Sequence, residues 1–245
     1  MRAWATAALD LLYPALCPVC DHGLGAGRRD PLCAECWTAI ERIEAPFCGT
    51  CGLPLPSFEP MVSTTAARCH ACVTAPPPFD YGRAAGAYSG TLRDALHALK
   101  FGGKRALAGP LSALVLEQCG ALLGPHVDAL VPVPLAHERE RERGFNQAAL
   151  LAAHLAAASG LPSKPRWLSR RRGTRPQTEL TAPERRANVA RAFAASSRVA
   201  GAHVVLVDDI VTTGATAAEC ARTLRAAGAR AVGVLAVARV LAVTL

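Results

Sequence analysis

From residue 81 onward, apolar positions recur with two alternating periods. Residues 81–88 read as a strand, and 91–100 carry Leu92, Leu96 and Leu99 at helical spacing. A Gly102-Gly103 turn precedes a longer helix over 106–123. Residues 129–133 form a short apolar run containing Pro132 and followed by Pro134, the pattern of a buried strand entering a loop. An Ala- and Leu-rich helix is predicted over 147–158 and a short strand over 166–168. The stretch 170–191 breaks the pattern, being rich in arginine and poor in apolar residues. Residues 204–207 are wholly apolar, 217–227 predict a helix closed by Gly228, and 231–239 a last strand with β-branched Val232, Val234 and Val237. Strands alternating with helices predict an α/β fold with a mainly parallel sheet flanked by helices. Ligands of such sheets bind beyond the carboxyl ends of the strands. The loops after Val133, Leu168 and Val207 are therefore the ones to inspect.

The first 80 residues follow another rule. Residues 1–16 are apolar but hold Asp10 and Pro14 and lack a small-x-small cleavage site, so they read as an amphipathic lead-in helix rather than a signal peptide. Eight of the ten cysteines follow in four C-x-x-C pairs: Cys17/Cys20, Cys33/Cys36, Cys48/Cys51 and Cys69/Cys72. This spacing places two thiolates on one turn around a tetrahedral zinc. Gaps of twelve residues within the first two pairs and seventeen within the last two suit zinc ribbons. The simple assignment is two structural ions, one on Cys17, Cys20, Cys33 and Cys36, the other on Cys48, Cys51, Cys69 and Cys72. An interleaved pairing, or His22 or His70 in place of a thiolate, is open at this stage. Disulfides need a secretory context that is missing here, and a redox pair would be single and set in a βαβ unit. Residues 17–75 hold too little apolar material to fold without the metal. Gly49, Gly52 and Pro54 fit tight turns, and Pro76-Pro77-Pro78 reads as a stiff linker over 76–80. The second unit then spans 81–245.

Composition sharpens this picture in two ways. With 51% hydrophobic but only 5% aromatic residues, the core is built from Ala, Leu and Val. The formal charge is +8, carried almost wholly by arginine, whose fork matches phosphate geometry. Phosphorylated ligands, nucleotides or nucleic acid are favoured over acidic-protein partners. No run approaches the ~18 apolar residues of a membrane span, and the expected compartment is the cytoplasm.

The chemistry concentrates after residue 203. Asp208 and Asp209 follow the apolar run 204–207. Two adjacent carboxylates accept both hydroxyls of a ribose diol, or reach them through magnesium waters. Thr212-Thr213-Gly214-Ala215-Thr216 comes next, directly before a helix. N–H groups at a helix start cradle a phosphate, and threonine hydroxyls add donors. Diol binder and phosphate cradle thus lie one short loop apart, as a ribose 5-phosphate requires. The magnesium strand of a P-loop ATPase would need G-x-x-x-x-G-K-[ST], and no such string occurs.

Residues 204–216 resemble the phosphoribosyl pyrophosphate signature of type I phosphoribosyltransferases. Further along the chain, Val131-Pro132-Val133-Pro134, the arginines over 139–143, Gly144-Phe145-Asn146-Gln147, Arg175-Pro176-Gln177-Thr178 and Asn188-Val189 join the four C-x-x-C turns in resembling the ComF/GntX family. That family couples a double zinc ribbon to a type I phosphoribosyltransferase-like domain. The resemblance implies that Asp208 and Asp209 bind ribose hydroxyls, that Thr212, Thr213, Gly214, Ala215 and Thr216 hold the 5-phosphate, and that Arg143 meets pyrophosphate. It also implies a mobile basic lid over 170–187. Lys100 is a further candidate for the phosphates. No acceptor pocket is visible, since 239–245 is short and apolar. The family's association with DNA uptake in competent bacteria implies a rival function, a non-catalytic module handling single-stranded DNA or serving competence-machinery proteins. Trp37 and Trp167 are the stacking candidates for that role and read more simply as packing residues.

Overall fold

A computed structural model describes residues 15–24, 31–56, 67–171 and 191–241. The lead-in helix expected before residue 15, and all but the first two residues of the expected lid, lie outside the described residues. So do Arg175-Pro176-Gln177-Thr178 and Asn188-Val189.

Six strands are described: β1 (Tyr81–Ala87), β2 (Ala129–Pro132), β3 (Leu168–Arg170), β4 (Phe193–Ala195), β5 (His203–Val211) and β6 (Ala231–Arg239). The helices are α1 (Ala34–Thr38), α2 (His70–Thr74), α3 (Gly90–Phe101), α4 (Ala108–Cys119), α5 (His137–Arg143), α6 (Gln147–Ser159) and α7 (Ala215–Ala226). β1, β6, β5 and β2 form one sheet in that order, every pair parallel. The parallel α/β expectation is therefore met. β3 and β4 form a separate antiparallel pair.

The wholly apolar strands bury both faces, as parallel sheets do. Val205, Val207, Leu235 and Val237 share one core with Leu96 and Leu99 of α3, Leu111 of α4 and Leu151 of α6. Val204, Leu206, Val232 and Val234 share the other with Cys220 and Leu224 of α7, Leu168 of β3 and Phe193 of β4. Cys119 and Cys220 are buried within these cores, and burial alone pushes the Cys119 thiol up to about 12. Both act as small apolar residues. Trp37 and Trp167 pack against the cores as expected.

Three local expectations need correction. The long helix over 106–123 is confined to Ala108–Cys119, with 3-10 turns at Arg105–Leu107 and Gly120–Leu122. Pro110 is accommodated only in the first turn, and Gly120 ends the run. The loop after Val133 contains α5, a helix without a buried residue. Its Glu and Arg residues alternate and carry no apolar stripe, so periodicity cannot reveal it. The strand predicted over 166–168 starts instead at Leu168, after a 3-10 turn at Pro165–Trp167.

The cysteine-rich region is built into this body. Cys17, Leu24, Leu32, Cys33, Cys36 and Ile40 belong to the same core as Leu92 and Leu96. The segment between the two cysteine quartets covers the free edge of β1: Ile43 donates to Ala85 O at 3.0 Å and Ala87 to Glu41 O at 2.8 Å. The other edge is covered where Leu130 and Lys164 exchange bonds with Pro162 and Leu130. An all-parallel sheet thus presents no bare edge here.

Gly52 marks the seam. At φ +72° it makes a turn that an L residue resists, and a Cβ there would lie 2.5 Å from Gly82 O of β1. Gly52→Ala is expected to cost ~1–3 kcal/mol through strain and overpacking. Thermal unfolding followed by circular dichroism measures it, and an unchanged midpoint would show that the seam is soft.

Candidate functional site

β5 delivers the two acids. Its residues alternate between the two cores, and the alternation puts Asp209 in register with Val205 and Val207, Asp208 with Val204 and Leu206. Two adjacent carboxylates therefore meet different surroundings. Asp209 is buried and paired with Lys100 from the last turn of α3. Asp208 is half-buried and accepts the Asp209 N–H at 2.9 Å. Burial pushes the Asp208 carboxyl well above the usual carboxylate range, and the neighbouring Asp209 charge adds to the rise. Burial acts on Asp209 in the same direction, but the Lys100 ammonium outweighs it and holds that carboxyl low. Like charges this close do not ionise independently, so the negative charge of the pair resides on Asp209.

Around the acids opens a cleft of about 310 Å³. One wall is the turn from β5 into α7, where Thr212, Gly214, Ala215 and Thr216 line the cleft. Gly214 caps the helix at φ +76°, with open space where its Cβ would stand. The first turn of a helix offers N–H groups and a positive dipole end to an anion. Thr213 is not part of this lining: it is exposed, and its hydroxyl accepts the Ala215 N–H at 3.4 Å. The structure therefore brings together Thr212, Gly214, Ala215 and Thr216 and leaves Thr213 outside.

The facing wall is the loop after β2 with α5. Arg139 and Arg143, four residues apart on one helix face, both line the cleft. Arg143 stands 4.8 Å over the Phe101 ring. Burial lowers its pKa from the usual arginine value while the Asp209 charge works against that. Asn146 anchors this wall by donating to Val133 O at 3.1 Å and accepting the Ala148 N–H at 2.9 Å. The Gly144-Phe145-Asn146-Gln147 stretch is thus a clamp between the loop and the start of α6. Lys100 lines the cleft as expected, although its partner is Asp209.

Arg170 and Tyr88 also line the cleft. Arg170 ends β3, with its guanidinium 5.5 Å from the Phe193 ring. In the sequence it merges with the basic stretch behind it, and only the pairing of β3 with β4 separates it out. Tyr88 follows β1 at the carboxyl end of the sheet, where the topological rule for parallel sheets would have pointed.

The cysteines form two sequential quartets, Cys17, Cys20, Cys33, Cys36 and Cys48, Cys51, Cys69, Cys72, with all Sγ atoms of each within 4.8 Å of one another. No interleaving occurs, and neither His22 nor His70 joins a quartet. Sγ separations of 3.5 Å for Cys20–Cys33 and 3.7 Å for Cys51–Cys69 match the ~3.8 Å edge of a tetrahedron with zinc–sulfur bonds of about 2.3 Å. The donor set fits structural zinc. The second quartet is tied to the sheet by Arg83, which donates to Cys48 O at 3.3 Å and Gly49 O at 3.1 Å, and by Arg239, which donates to Cys51 O at 2.9 Å.

Comparison with known proteins matches this division. Residues 8–73 fit the model of the double zinc ribbon domain, and 142–244 that of the phosphoribosyl transferase domain. The DNA utilization protein YhgH of Salmonella typhi is 34% identical over 94% of this chain and 100% of its own length. The chain belongs to the ComF/GntX family. Competence protein F of Haemophilus influenzae is 31% identical over 86% of this chain and 91% of its own. Competence protein ComFC of Bacillus subtilis is 26% identical over 80% and 78%. The phosphoribosyl transferase match of this ComF-family chain begins inside α5, so β1, α3 and β2 lie before it although they complete the sheet and supply Lys100. Among the described residues, no helix is long and apolar enough to cross a membrane.

Proposed function

We propose that the cleft binds phosphoribosyl pyrophosphate with magnesium and that the protein is a phosphoribosyltransferase. The observation that carries this reading is the convergence on one cleft of an acid pair, a helix start and four cations, Lys100, Arg139, Arg143 and Arg170. A doubly phosphorylated sugar needs that set and a simple anion does not. In this reading Asp208 and Asp209 accept the ribose hydroxyls. Thr212, Gly214, Ala215 and Thr216 hold the 5-phosphate, and Arg143 with Arg139 faces the diphosphate. Thr213 supports the turn rather than touching the ligand.

Transfer breaks the bond from the anomeric carbon to diphosphate while positive charge develops on the ribose. The arginines stabilise the departing diphosphate, and the acid pair stands on the ribose side. Magnesium, when bound, supplies further charge against the diphosphate, and the hard carboxylate oxygens of Asp208 and Asp209 are the donors here that suit it. The same proposal divides the chain into a ribbon unit at 17–75 and a transferase-like unit at 81–245, and places it in the cytoplasm, where free thiol quartets hold zinc. Calorimetric titration with phosphoribosyl pyrophosphate is expected to give one site whose heat vanishes without magnesium. A flat titration in the presence of magnesium would remove the reading. A screen of bases and amines for pyrophosphate release then identifies the acceptor.

A second reading, the handling of single-stranded DNA, draws on the names of the relatives and on Phe101, which is 64% exposed beside Arg143 at the cleft. Exposed aromatics next to arginine serve as base-stacking platforms. This reading expects binding that weakens steeply with salt and survives Asp208→Asn. Loss of DNA binding in that variant would instead tie the DNA to the phosphoribose site.

A further inference from the structure

Lys100 and Asp209 form an ion pair of two largely buried side chains in the middle of a cleft open to ligand. The pair is not needed to close the core, because Leu96 and Leu99 already bury α3 against the sheet. Lys100 sits in the last turn of α3, one residue before exposed Phe101 and two before the Gly102 cap. Its ammonium is a compact charge on a flexible stem, able to change partners without moving the helix. Arg143, also near Asp209, is held against the Phe101 ring and lacks that freedom. Asp208 contributes no second free carboxylate while its neighbour is charged.

From these contacts we infer that Lys100 is the resident counter-cation of Asp209 and exchanges partners when ligand binds, passing from the carboxylate to the diphosphate. The inference rests on the phosphoribosyl pyrophosphate reading and deepens it. Lys100 occupies the Asp209 oxygen that a ribose hydroxyl would use. A ligand with ribose and 5-phosphate alone must displace Lys100 and leave its buried charge without a partner, which is costly. A ligand that also carries the diphosphate gives the ammonium a new anion as it frees the carboxylate. Recognition of the two ends of the donor is thereby coupled, and the site discriminates intact donor from ribose 5-phosphate as a competitor. The coupling is a free-energy linkage between two subsites, typically worth about 5- to 150-fold in affinity.

The test compares phosphoribosyl pyrophosphate with ribose 5-phosphate by calorimetry at fixed magnesium, in the unsubstituted chain and in Lys100→Met. Lys100→Gln, which keeps a hydrogen-bond donor for Asp209, serves the same comparison if the methionine variant does not fold. The expected result is that phosphoribosyl pyrophosphate binding falls while ribose 5-phosphate binding holds or improves, so that their affinity ratio shrinks by about tenfold or more. Equal losses for both ligands would mean that Lys100 only shapes the cleft, and unchanged affinities would mean an inert ion pair; either overturns the inference. Absence of binding of both ligands to the unsubstituted chain overturns the functional reading itself and the exchange with it. Binding of phosphoribosyl pyrophosphate with an unchanged ratio overturns only the exchange.

Discussion

Asp208→Asn and Asp209→Asn are expected to lose phosphoribosyl pyrophosphate alike but to move stability in opposite directions. Each alters an acid on the ribose side, and at the charged Asp209 a hydrogen bond is worth ~1.5–3 kcal/mol, or roughly 10- to 150-fold in affinity. In their effect on stability the two acids differ. Asp209 neutralises Lys100, so its loss strands a buried cation at a cost of ~3–5 kcal/mol. At this chain length that lowers the thermal midpoint by about 6–20 °C. Asp208 is half-buried beside a like charge and its ionisation is opposed, so the asparagine variant is expected to melt a few degrees higher near neutral pH. The pH dependence has a definite sign. Asp209, held low, contributes stability that is present above its unfolded value and is lost as pH falls through its folded value. Asp208, held high, favours the fold most below its unfolded value and withdraws that contribution as pH rises through its folded value. The gain from Asp208→Asn should therefore vanish in acid. Melting curves across pH decide the matter, and a destabilised Asp208→Asn at neutral pH would refute the assignment of charge within the pair.

Removing the metals is expected to unfold the α/β body as well as the ribbons. Structural zinc sites of this donor set contribute about 10–16 kcal/mol, comparable with the ~5–15 kcal/mol that holds a whole domain. Leu24, Leu32 and Ile40 share a core with Leu92 and Leu96, and residues 41–43 cover the β1 edge. Loss of the first quartet therefore uncovers apolar surface on α3, and loss of the second frees Arg83 and Arg239 at the sheet. Chelation is expected to shift one cooperative transition downward by more than 10 °C, with about two zinc ions released per chain. A separate low-temperature transition, with the main one unmoved, would show instead that the ribbons unfold on their own. Cys48→Ser, at a buried ligand tied to β1, should reproduce the shift with one zinc retained. Cys20→Ser, at an exposed position, should shift it less.

Much of the frame was legible in the residues. Long periodic segments such as the Leu92-Leu96-Leu99 helix and the valine strands announce themselves, because burying one stripe or two faces leaves a local pattern. The C-x-x-C turns were legible for a similar reason: both ligands of a turn are local, and short gaps favour sequential closure. The acid pair and the threonine-glycine turn were readable because the turn from a strand into a helix is also local. Polar α5 and three-residue β4 left no such trace, since neither has a stripe long enough to count. Thr213 shows the limit within the motif, for its side chain turns back on its own loop, a choice of rotamer that no residue spacing encodes.

Sequence alone determined the alternation of strand and helix and the four C-x-x-C turns, and it singled out residues 208–216, because each depends on neighbours within a turn or a strand. Tertiary structure decided the rest. It set Lys100 rather than water against Asp209, added Arg170 and Tyr88 to the cleft, and joined the ribbons to the α/β core along the β1 edge. Those contacts form between segments far apart in the chain, where burial and charge compensation select partners only after the sheet has brought them together.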